Sequence, residues 1–263
     1  MKNKLCWLPN ALTFGNLFSG FLAIVFAIHT STSNGAEGNT SINYFYLSML
    51  MMFIAGICDF FDGYIARLMG LCSEFGRELD SLSDVVSFGV APAVLIYERA
   101  LQLPFNWWGI IPVGFYVCCA AGRLARFNVI SSSGRKPYFV GMPIEGGAAL
   151  LIAVVLSTTY PRHPIQEGVM AVVAIAAVLV AGILMISTLR FTANVPLLVR
   201  LGALVVMVLG FLKPGEWIIL IPLSYIGYGL VSNFCALRSA RQLLTPENPD
   251  CPAISTPKVP AGQ

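Results

Sequence analysis

Long apolar runs constrain the fold of this chain more than any other feature. They recur at lengths of roughly 18 to 22 residues, which is what a helix needs to cross the hydrocarbon core of a bilayer. Only 11% of the residues are charged, about half the usual share of a soluble domain. A membrane β-barrel would instead show short alternating segments. The sequence therefore predicts an all-α, polytopic helical membrane protein.

The apolar pattern predicts about eight transmembrane helices. The first is interpreted as a retained helix, because no clear small-residue cleavage site follows it. Residues 1–240 are predicted to form a single membrane domain, and the Pro-rich residues 241–263 to form a disordered cytoplasmic tail. The predicted spans lie near residues 11–29, 43–67, 76–97, 106–127, 145–160, 168–188, 197–212 and 215–236.

Basic residues predict the orientation of these spans. With eight spans, Arg99, Arg162 and Lys213 fall on one side, and the other 13 of the 16 Lys and Arg residues fall on the side of the N-terminus. The positive-inside rule then places both termini in the cytoplasm. A net charge of +3 is too small to indicate nucleic acid as a partner. The seven cysteines show no CxxC spacing and are interpreted as small buried apolar residues.

One charged stretch interrupts the apolar pattern, DFFDGYIARLMGLCSEFGRELDSLSD. Asp59 and Asp62 are three residues apart, and Asp80 and Asp84 are four apart, so each pair shares one face of a helix. If the two faces meet, four carboxylates converge, which is costly in low dielectric without a counter-charge. Oxygen ligands without His or Cys favour Mg²⁺ or Mn²⁺. We therefore expect a site for one or two such ions.

Neighbouring residues allow two interpretations of this stretch. Pairing of the aspartates with Arg67 and Arg77 near the interface would be purely structural. Alternatively, Gly63 and Gly76 let a substrate approach the helix backbone, and Arg67 offers a bidentate fork for a phosphate. The second interpretation predicts a pyrophosphate site at the cytoplasmic face, suited to metal-assisted phosphoryl transfer.

The spacing of this stretch resembles the complete signature of the CDP-alcohol phosphatidyltransferase family: Asp59-x2-Asp62-Gly63-x2-Ala66-Arg67-x8-Gly76-x3-Asp80-x3-Asp84. The resemblance implies an integral membrane enzyme with a six-helix core, to which this chain adds two helices. It also implies a homodimer that moves a phosphatidyl or similar group from a CDP-linked lipid to an alcohol and releases CMP. The implied location is a bacterial-type cytoplasmic (inner) membrane, with the active site facing the cytoplasm.

The resemblance also assigns roles by position. Asp59, Asp62, Asp80 and Asp84 become metal ligands, and Asp84 is also the general base on the acceptor hydroxyl. The residues assigned to the CDP pocket are Gly63, Ala66, Arg67 and Gly76. Attack could be direct or proceed through a phosphatidyl-enzyme; direct attack needs fewer assumptions, because the motif holds no evident nucleophile.

Four further segments are similar to the bacterial and archaeal phosphatidylserine synthases of this family: PNALTFGNLFSG, AAGRLARFNV, YFVGMPIEGGAA and LMISTLRF. They imply CDP-diacylglycerol as donor and L-serine as acceptor. The third departs from the branch pattern, which has small residues where Glu145 stands. Transfer to glycerol 3-phosphate, choline or inositol is the first alternative, and a cation-coupled transporter is the second.

Polar residues outside the signature are candidates for binding substrate. Arg123, Arg126 and Asn128 lie at the predicted cytoplasmic end of the fourth span, where they could bind serine or a lipid phosphate or simply anchor the helix. Thr13 and Asn16 share a face of the first span and are candidates for binding the CDP or pyrophosphate group. Asn16 could contact the nucleotide or lipid, or join helices by hydrogen bonding.

Overall fold

A computed structural model describes residues 7–32, 38–70, 73–132, 141–159 and 167–189. Within these ranges the chain is helical and contains no strand. Four helical segments are long and apolar enough to cross a membrane: Trp7–His29, Tyr44–Met69, Glu74–Ile130 and Gly168–Ile186. The predicted all-helical architecture is confirmed, and these segments indicate an integral membrane protein.

The helices are α1 (Trp7–Thr32), α2 (Gly38–Met69), α3 (Glu74–Asp84), α4 (Ala91–Ile96), α5 (Gln102–Phe105), α6 (Ile110–Ser132), α7 (Ile144–Thr159) and α8 (Glu167–Ile186). The π-helical segment Val85–Val90 joins α3 to α4, and a second one, Tyr97–Leu101, joins α4 to α5. A 3-10 turn, Asn106–Gly109, precedes α6. The seventh and eighth predicted spans and the tail lie outside the described residues. The count of eight spans and the cytoplasmic placement of the termini therefore stay predictions.

Two predicted spans, the third and the fourth, lie within the single 57-residue helical segment Glu74–Ile130. Asn106 has a φ of 47° and a ψ of −127°, so the helix direction breaks at this residue. Asn tolerates positive φ better than most residues with a side chain. After the break, α6 packs back against α4 and against Val85–Val90. The segment is thus long enough for two passes and folds back on itself.

Helix α1 packs against both α2 and α3 through a face of small residues. Gly20, Ala23 and Ala27 are buried on this face and follow Asn16 at spacings of three or four residues. A Cβ atom at Gly20 would overlap both the side chain and the backbone of Ser87, so the glycine permits the close approach of the two segments. On the outer face of α1, large apolar side chains are exposed, as expected for a surface in contact with lipid: Phe14, Phe18 and Phe21.

The interior is centred on α7, which is buried without interruption from Leu150 to Leu156. This helix packs against α4 and α8. The buried Tyr116 of α6 donates a hydrogen bond from its hydroxyl to the carbonyl oxygen of Phe88, at 2.9 Å. Phe88 belongs to the first π-helical segment, so α6 holds that segment in place directly after Asp84.

Candidate active site

Aspartates from α2 and α3 converge at one point of the helical assembly. Carboxylate oxygens of Asp59, Asp62 and Asp80 all lie within 4.8 Å of one another. Asp59 and Asp62 are less than one turn apart on α2, and Asp80 reaches the same point from α3. The structure thus brings together three of the four carboxylates that the spacing predicts to meet.

Asp84 lies beside this group and is held differently. It is only 6% exposed, and its Oδ1 atom accepts a hydrogen bond of 3.2 Å from Nδ2 of Asn16. Its carboxyl group also interacts electrostatically with that of Asp59. Asp84 is not one of the three residues whose oxygens are mutually within 4.8 Å. The structure therefore distinguishes Asp84 from the other three aspartates.

Helix α1 supplies hydrogen-bond donors to two of the aspartates. Oγ1 of the buried Thr13 donates to Oδ2 of Asp62 at 2.6 Å, as Asn16 does to Asp84. The sequence assigned these two α1 residues to the CDP pocket, whereas here their donor groups contact carboxylates. The Oδ1 atom of Asn16 is buried and has no hydrogen-bond partner among the described residues. It is a buried acceptor whose hydrogen-bonding capacity is unused within the described residues.

Two serines of the third helical segment fix it to α1. Oγ of Ser83 donates to the carbonyl oxygen of Thr13, and Oγ of Ser87 donates to that of Asn16, both at 3.0 Å. The backbone of α1 is thus bonded at the two residues whose side chains hold aspartates. Because one helix contacts both carboxylate-bearing helices, it sets their relative position.

The structural alternative, in which arginines pair with the aspartates, does not describe this site. Arg77 pairs instead with Glu78, at 3.6 Å, and none of the four aspartates forms an ion pair within 4.0 Å in the described part of the chain. Arg67 is exposed, and its charge attracts Asp62 and Asp80 from a greater distance. The carboxylates therefore keep their capacity to bind a cation.

The remaining signature residues surround the cluster. The guanidinium of Arg67 lies over Gly63, where a Cβ atom would be 3.6 Å from both terminal nitrogens. Ala66 is partly exposed on α2. The N–H of Gly76 donates to Oγ of Ser73, the N-cap of α3, at 2.9 Å. A Cβ atom at Gly76 would lie 3.2 Å from Oδ1 of Asn10, so α1 comes close here as well.

The donor set fits a hard divalent cation. The three converging residues offer only carboxylate oxygens, which are the ligands that Mg²⁺ and Mn²⁺ prefer. The buried Oδ1 atom of Asp80 has no hydrogen-bond partner within the described ranges. Buried polar atoms of this kind are rare unless something else satisfies them, and a cation between the carboxylates would do so.

The three candidates on α6 have separate surroundings. Nδ2 of Asn128 donates to Glu78 at 3.2 Å and to Ser81 at 3.0 Å, which ties α6 to α3. Arg126 donates to the carbonyl oxygen of Ile186, at the end of α8, at 3.1 Å. Arg123 is 7% exposed. The observed contacts of Asn128 and Arg126 fit an anchoring role.

A family comparison agrees with this geometry. Residues 6–194 match the family model described as CDP-alcohol phosphatidyltransferase. This chain belongs to that family. The match includes both carboxylate-bearing helices as well as the α1 residues that contact them. The aspartates that converge in the structure are thus those of the CDP-alcohol phosphatidyltransferase signature.

Three relatives illustrate which members of the CDP-alcohol phosphatidyltransferase family this chain is similar to. A CDP-diacylglycerol–serine O-phosphatidyltransferase of Helicobacter pylori is 31% identical over 87% of this chain and 92% of its own length. One of the same name from Saccharomyces cerevisiae is 38% identical over 54% of this chain, and the match spans 51% of the yeast protein. An archaetidylserine synthase of Methanothermobacter thermautotrophicus is 34% identical over 70% of this chain and 69% of its own length.

The structure adds two residues to the site of this phosphatidyltransferase that the sequence did not assign to it. Asn10 lies beside Gly76, and its spacing of three residues from Thr13 could have indicated a shared helix face. Glu145 lies in the first turn of α7 and interacts electrostatically with Asp59, Asp80 and Asp84. Its departure from the branch pattern was a sequence signal without an assigned role.

Proposed function

We propose that this chain transfers the phosphatidyl group of CDP-diacylglycerol to the hydroxyl of L-serine, giving phosphatidylserine and CMP. The observation that carries the proposal is the convergence of Asp59, Asp62 and Asp80 from two helices, with Asp84 beside them. Serine as acceptor is supported by the names of relatives that act on it or make its lipid. The segment RLARFN supports the same acceptor.

The proposed site is metal-dependent. Asp59, Asp62 and Asp80 would hold one or two ions of Mg²⁺ or Mn²⁺, and Asp84 would complete the ligand set from its adjacent position. A bound divalent cation supplies neutralising charge for a pyrophosphate and for the leaving CMP. Arg67, over Gly63, would bind a phosphate of the donor, and Gly63, Ala66 and Gly76 would leave room for the CDP group.

The chain's own part in the transfer is to bind, orient and deprotonate. Asp84 would accept the proton of the serine hydroxyl, whose oxygen then bonds to the phosphorus that carries the diacylglycerol. The bond from that phosphorus to the oxygen of CMP breaks, and CMP leaves with the bonding electrons. Asn16 would orient Asp84 through the hydrogen bond to its Oδ1 atom. Direct attack is the simpler route, because the signature holds no evident nucleophile.

Several wider features belong to the same proposal. Residues 1–240 would form one membrane domain of eight spans, with both termini and the active site on the cytoplasmic side of a bacterial-type inner membrane. Residues 241–263 would form a cytoplasmic tail. The chain would act as a homodimer, as the resemblance implies. Arg123, Arg126 and Asn128 would contribute to the acceptor end through their position on α6, near α3.

One assay tests the proposal and its alternatives together. Membranes containing the protein receive CDP-diacylglycerol, Mg²⁺ or Mn²⁺, and labelled serine, glycerol 3-phosphate, inositol or choline in parallel reactions. Label in the lipid fraction with serine, accompanied by CMP, is the expected result. Labelling with a different acceptor alone would contradict the choice of serine. Absence of CMP with every acceptor, together with metal-driven cation flux in vesicles, would favour the transporter alternative.

A further inference from the structure

The acidic charge of the site extends beyond the signature, to a helix that carries none of the signature residues. Glu145 is exposed, and it lies in the first turn of α7, a helix that packs against α2, α4 and the π-helical segment after Asp84. Ile144, next to it, lies 3.9 Å from the position of a Cβ atom at Gly89, within that segment. The start of α7 therefore lies close to the segment that directly follows Asp84.

Glu145 is close enough to the cluster to affect it electrostatically. Its carboxylate repels those of Asp59, Asp80 and Asp84, and on Asp59 its effect exceeds those of Asp80 and Asp62. Within the described ranges, Glu145 has no ion-pair partner. A fifth carboxylate without a partner makes the site more negative than the signature alone requires.

An additional carboxylate at the site would discriminate among acceptors by charge. Glycerol 3-phosphate is an anion and would be repelled by an additional carboxylate. Inositol is uncharged and would gain no electrostatic attraction from it. Serine carries an ammonium group one carbon away from the carbon that bears its hydroxyl. An exposed carboxylate near the cluster is suited to an ammonium group on an acceptor whose hydroxyl points to Asp84.

A second observation indicates that the cluster is built for a ligand. Asn16 is fully buried, its Nδ2 atom contacts Asp84, and its Oδ1 atom has no hydrogen-bond partner in the part of the chain that the structure describes. Leaving such an acceptor unsatisfied is costly unless a donor or a cation reaches it. The cluster thus carries unused acceptor capacity on the α1 side as well as the exposed carboxylate on the α7 side.

We propose that Glu145 binds the ammonium group of the amino-alcohol acceptor and so helps to select serine. The proposal rests on the proposed function, because it assigns a residue to the acceptor of that same reaction. Glu145 is then a specificity-determining residue that touches the substrate away from the reacting atoms. The transfer chemistry stays with the aspartates.

A cycle of two changes, one in the protein and one in the acceptor, tests this. The wild type and Glu145→Gln are each assayed with serine and with 3-hydroxypropanoate, which is serine without its amino group. With serine, we expect Glu145→Gln to raise KM about 10- to 100-fold, the loss typical of a charge-assisted hydrogen bond, while the KM for CDP-diacylglycerol is unchanged. With 3-hydroxypropanoate, an anion that the carboxylate of Glu145 repels, Glu145→Gln should be at least as active as the wild type.

Ethanolamine, which keeps the amine and lacks the carboxylate, is the reciprocal acceptor. Glu145→Gln should again have a higher KM for it than the wild type. Glu74→Gln is the matched control, because Glu74 is also an exposed acidic residue in the first turn of a helix; it should leave all KM values unchanged. Thermal unfolding in detergent verifies that each variant is folded. Glu145→Asp, which keeps the charge, should recover part of the affinity for serine.

Two outcomes overturn the proposal in distinguishable ways. If Glu145→Gln raises the KM for serine and for 3-hydroxypropanoate to the same extent, or raises neither, Glu145 does not bind the ammonium group. The serine transferase activity would still stand in that case. If the wild type forms no lipid from serine and uses another acceptor, the proposed function and this inference fail together.

Discussion

At the scale of single residues, the aspartates owe their geometry to neutral side chains of another helix. Thr13 and Asn16 donate to Asp62 and Asp84 and carry no charge themselves. A neutral donor orients a carboxylate while leaving its negative charge available to a metal. Residues that orient metal ligands in this way typically change affinity or activity 10- to 100-fold when they are removed.

Removal of the Thr13 hydroxyl tests this role. We expect Thr13→Val to weaken Mn²⁺ binding by about 10- to 100-fold, because Asp62 loses its 2.6 Å hydrogen bond. The measurement is the electron paramagnetic resonance signal of free Mn²⁺ titrated with purified protein. Ser48→Ala is the control, since Ser48 is also buried but donates to the carbonyl oxygen of Ala23 instead. Equal affinity in wild type and Thr13→Val would show that the hydrogen bond does not support metal binding.

Asp84 and Asp80 should differ in the same titration. Asp84→Asn is expected to lower turnover by about 10²- to 10⁴-fold, the usual contribution of a general base, while much of the Mn²⁺ affinity remains. Asp80→Asn should lose both turnover and Mn²⁺ affinity, because the carboxylate oxygens of Asp80 belong to the converging group. Loss of Mn²⁺ binding to the same extent in both variants would show that Asp84 contributes as much to metal binding as Asp80 does.

The convergence of these aspartates could be predicted from the sequence because local spacing decides it. Helical periodicity places Asp59 and Asp62 on one face whatever the rest of the fold does. The orientation of Asn16 depends on how α1 packs against the segment that carries Ser87, and no local pattern encodes that contact. For the same reason, the position of Glu145 near the cluster, more than sixty residues along the chain from Asp80, required the structure.

At the scale of elements, the π-helical segments are the main departure from a simple set of straight spans. Val85–Val90 begins directly after Asp84, and π-helical turns are frequently found at functional sites. Apolar periodicity predicts a span in this region but does not distinguish helix types, because the widened turn depends on packing and on bonds such as that from Tyr116 to Phe88. The widened turn lies between Asp84 and the start of α4.

The close approach of α1 to this segment can be tested with two glycines. Gly20→Ala should destabilise the protein by about 1–3 kcal/mol, as overpacking of a tight interface does, because the added methyl group meets the backbone of Ser87. Gly114→Ala adds the same atom where nothing lies within 4 Å. It should be neutral or stabilise the helix by up to about 1 kcal/mol.

Thermal unfolding in detergent, followed by circular dichroism, provides the comparison. A lower midpoint for Gly20→Ala than for the wild type, with Gly114→Ala unchanged or higher, is the expected order. Equal midpoints for the two variants would mean that α1 can move away from Ser87 at little cost.

At the scale of the whole molecule, the distribution of basic residues makes a topological prediction. Alkaline phosphatase fused after Lys136 should be inactive in a bacterial host, and fused after Arg162 it should be active, because the enzyme folds only outside the cytoplasm. These two positions flank the predicted fifth span. The reverse pattern would invert the orientation and place the carboxylate cluster on the outer side, away from cytoplasmic serine.

The role of α1 as a support for the cluster has a consequence for how the protein is made. Thr13 and Asn16 are synthesised before the aspartates that accept their hydrogen bonds, and all four aspartates are complete by residue 84. Charged residues are costly to place in a bilayer on their own. In this chain, Asp62 and Asp84 enter the membrane after the helix that carries their donors. The order of synthesis thus places the hydrogen-bond donors of Asp62 and Asp84 in the membrane before these two aspartates are inserted.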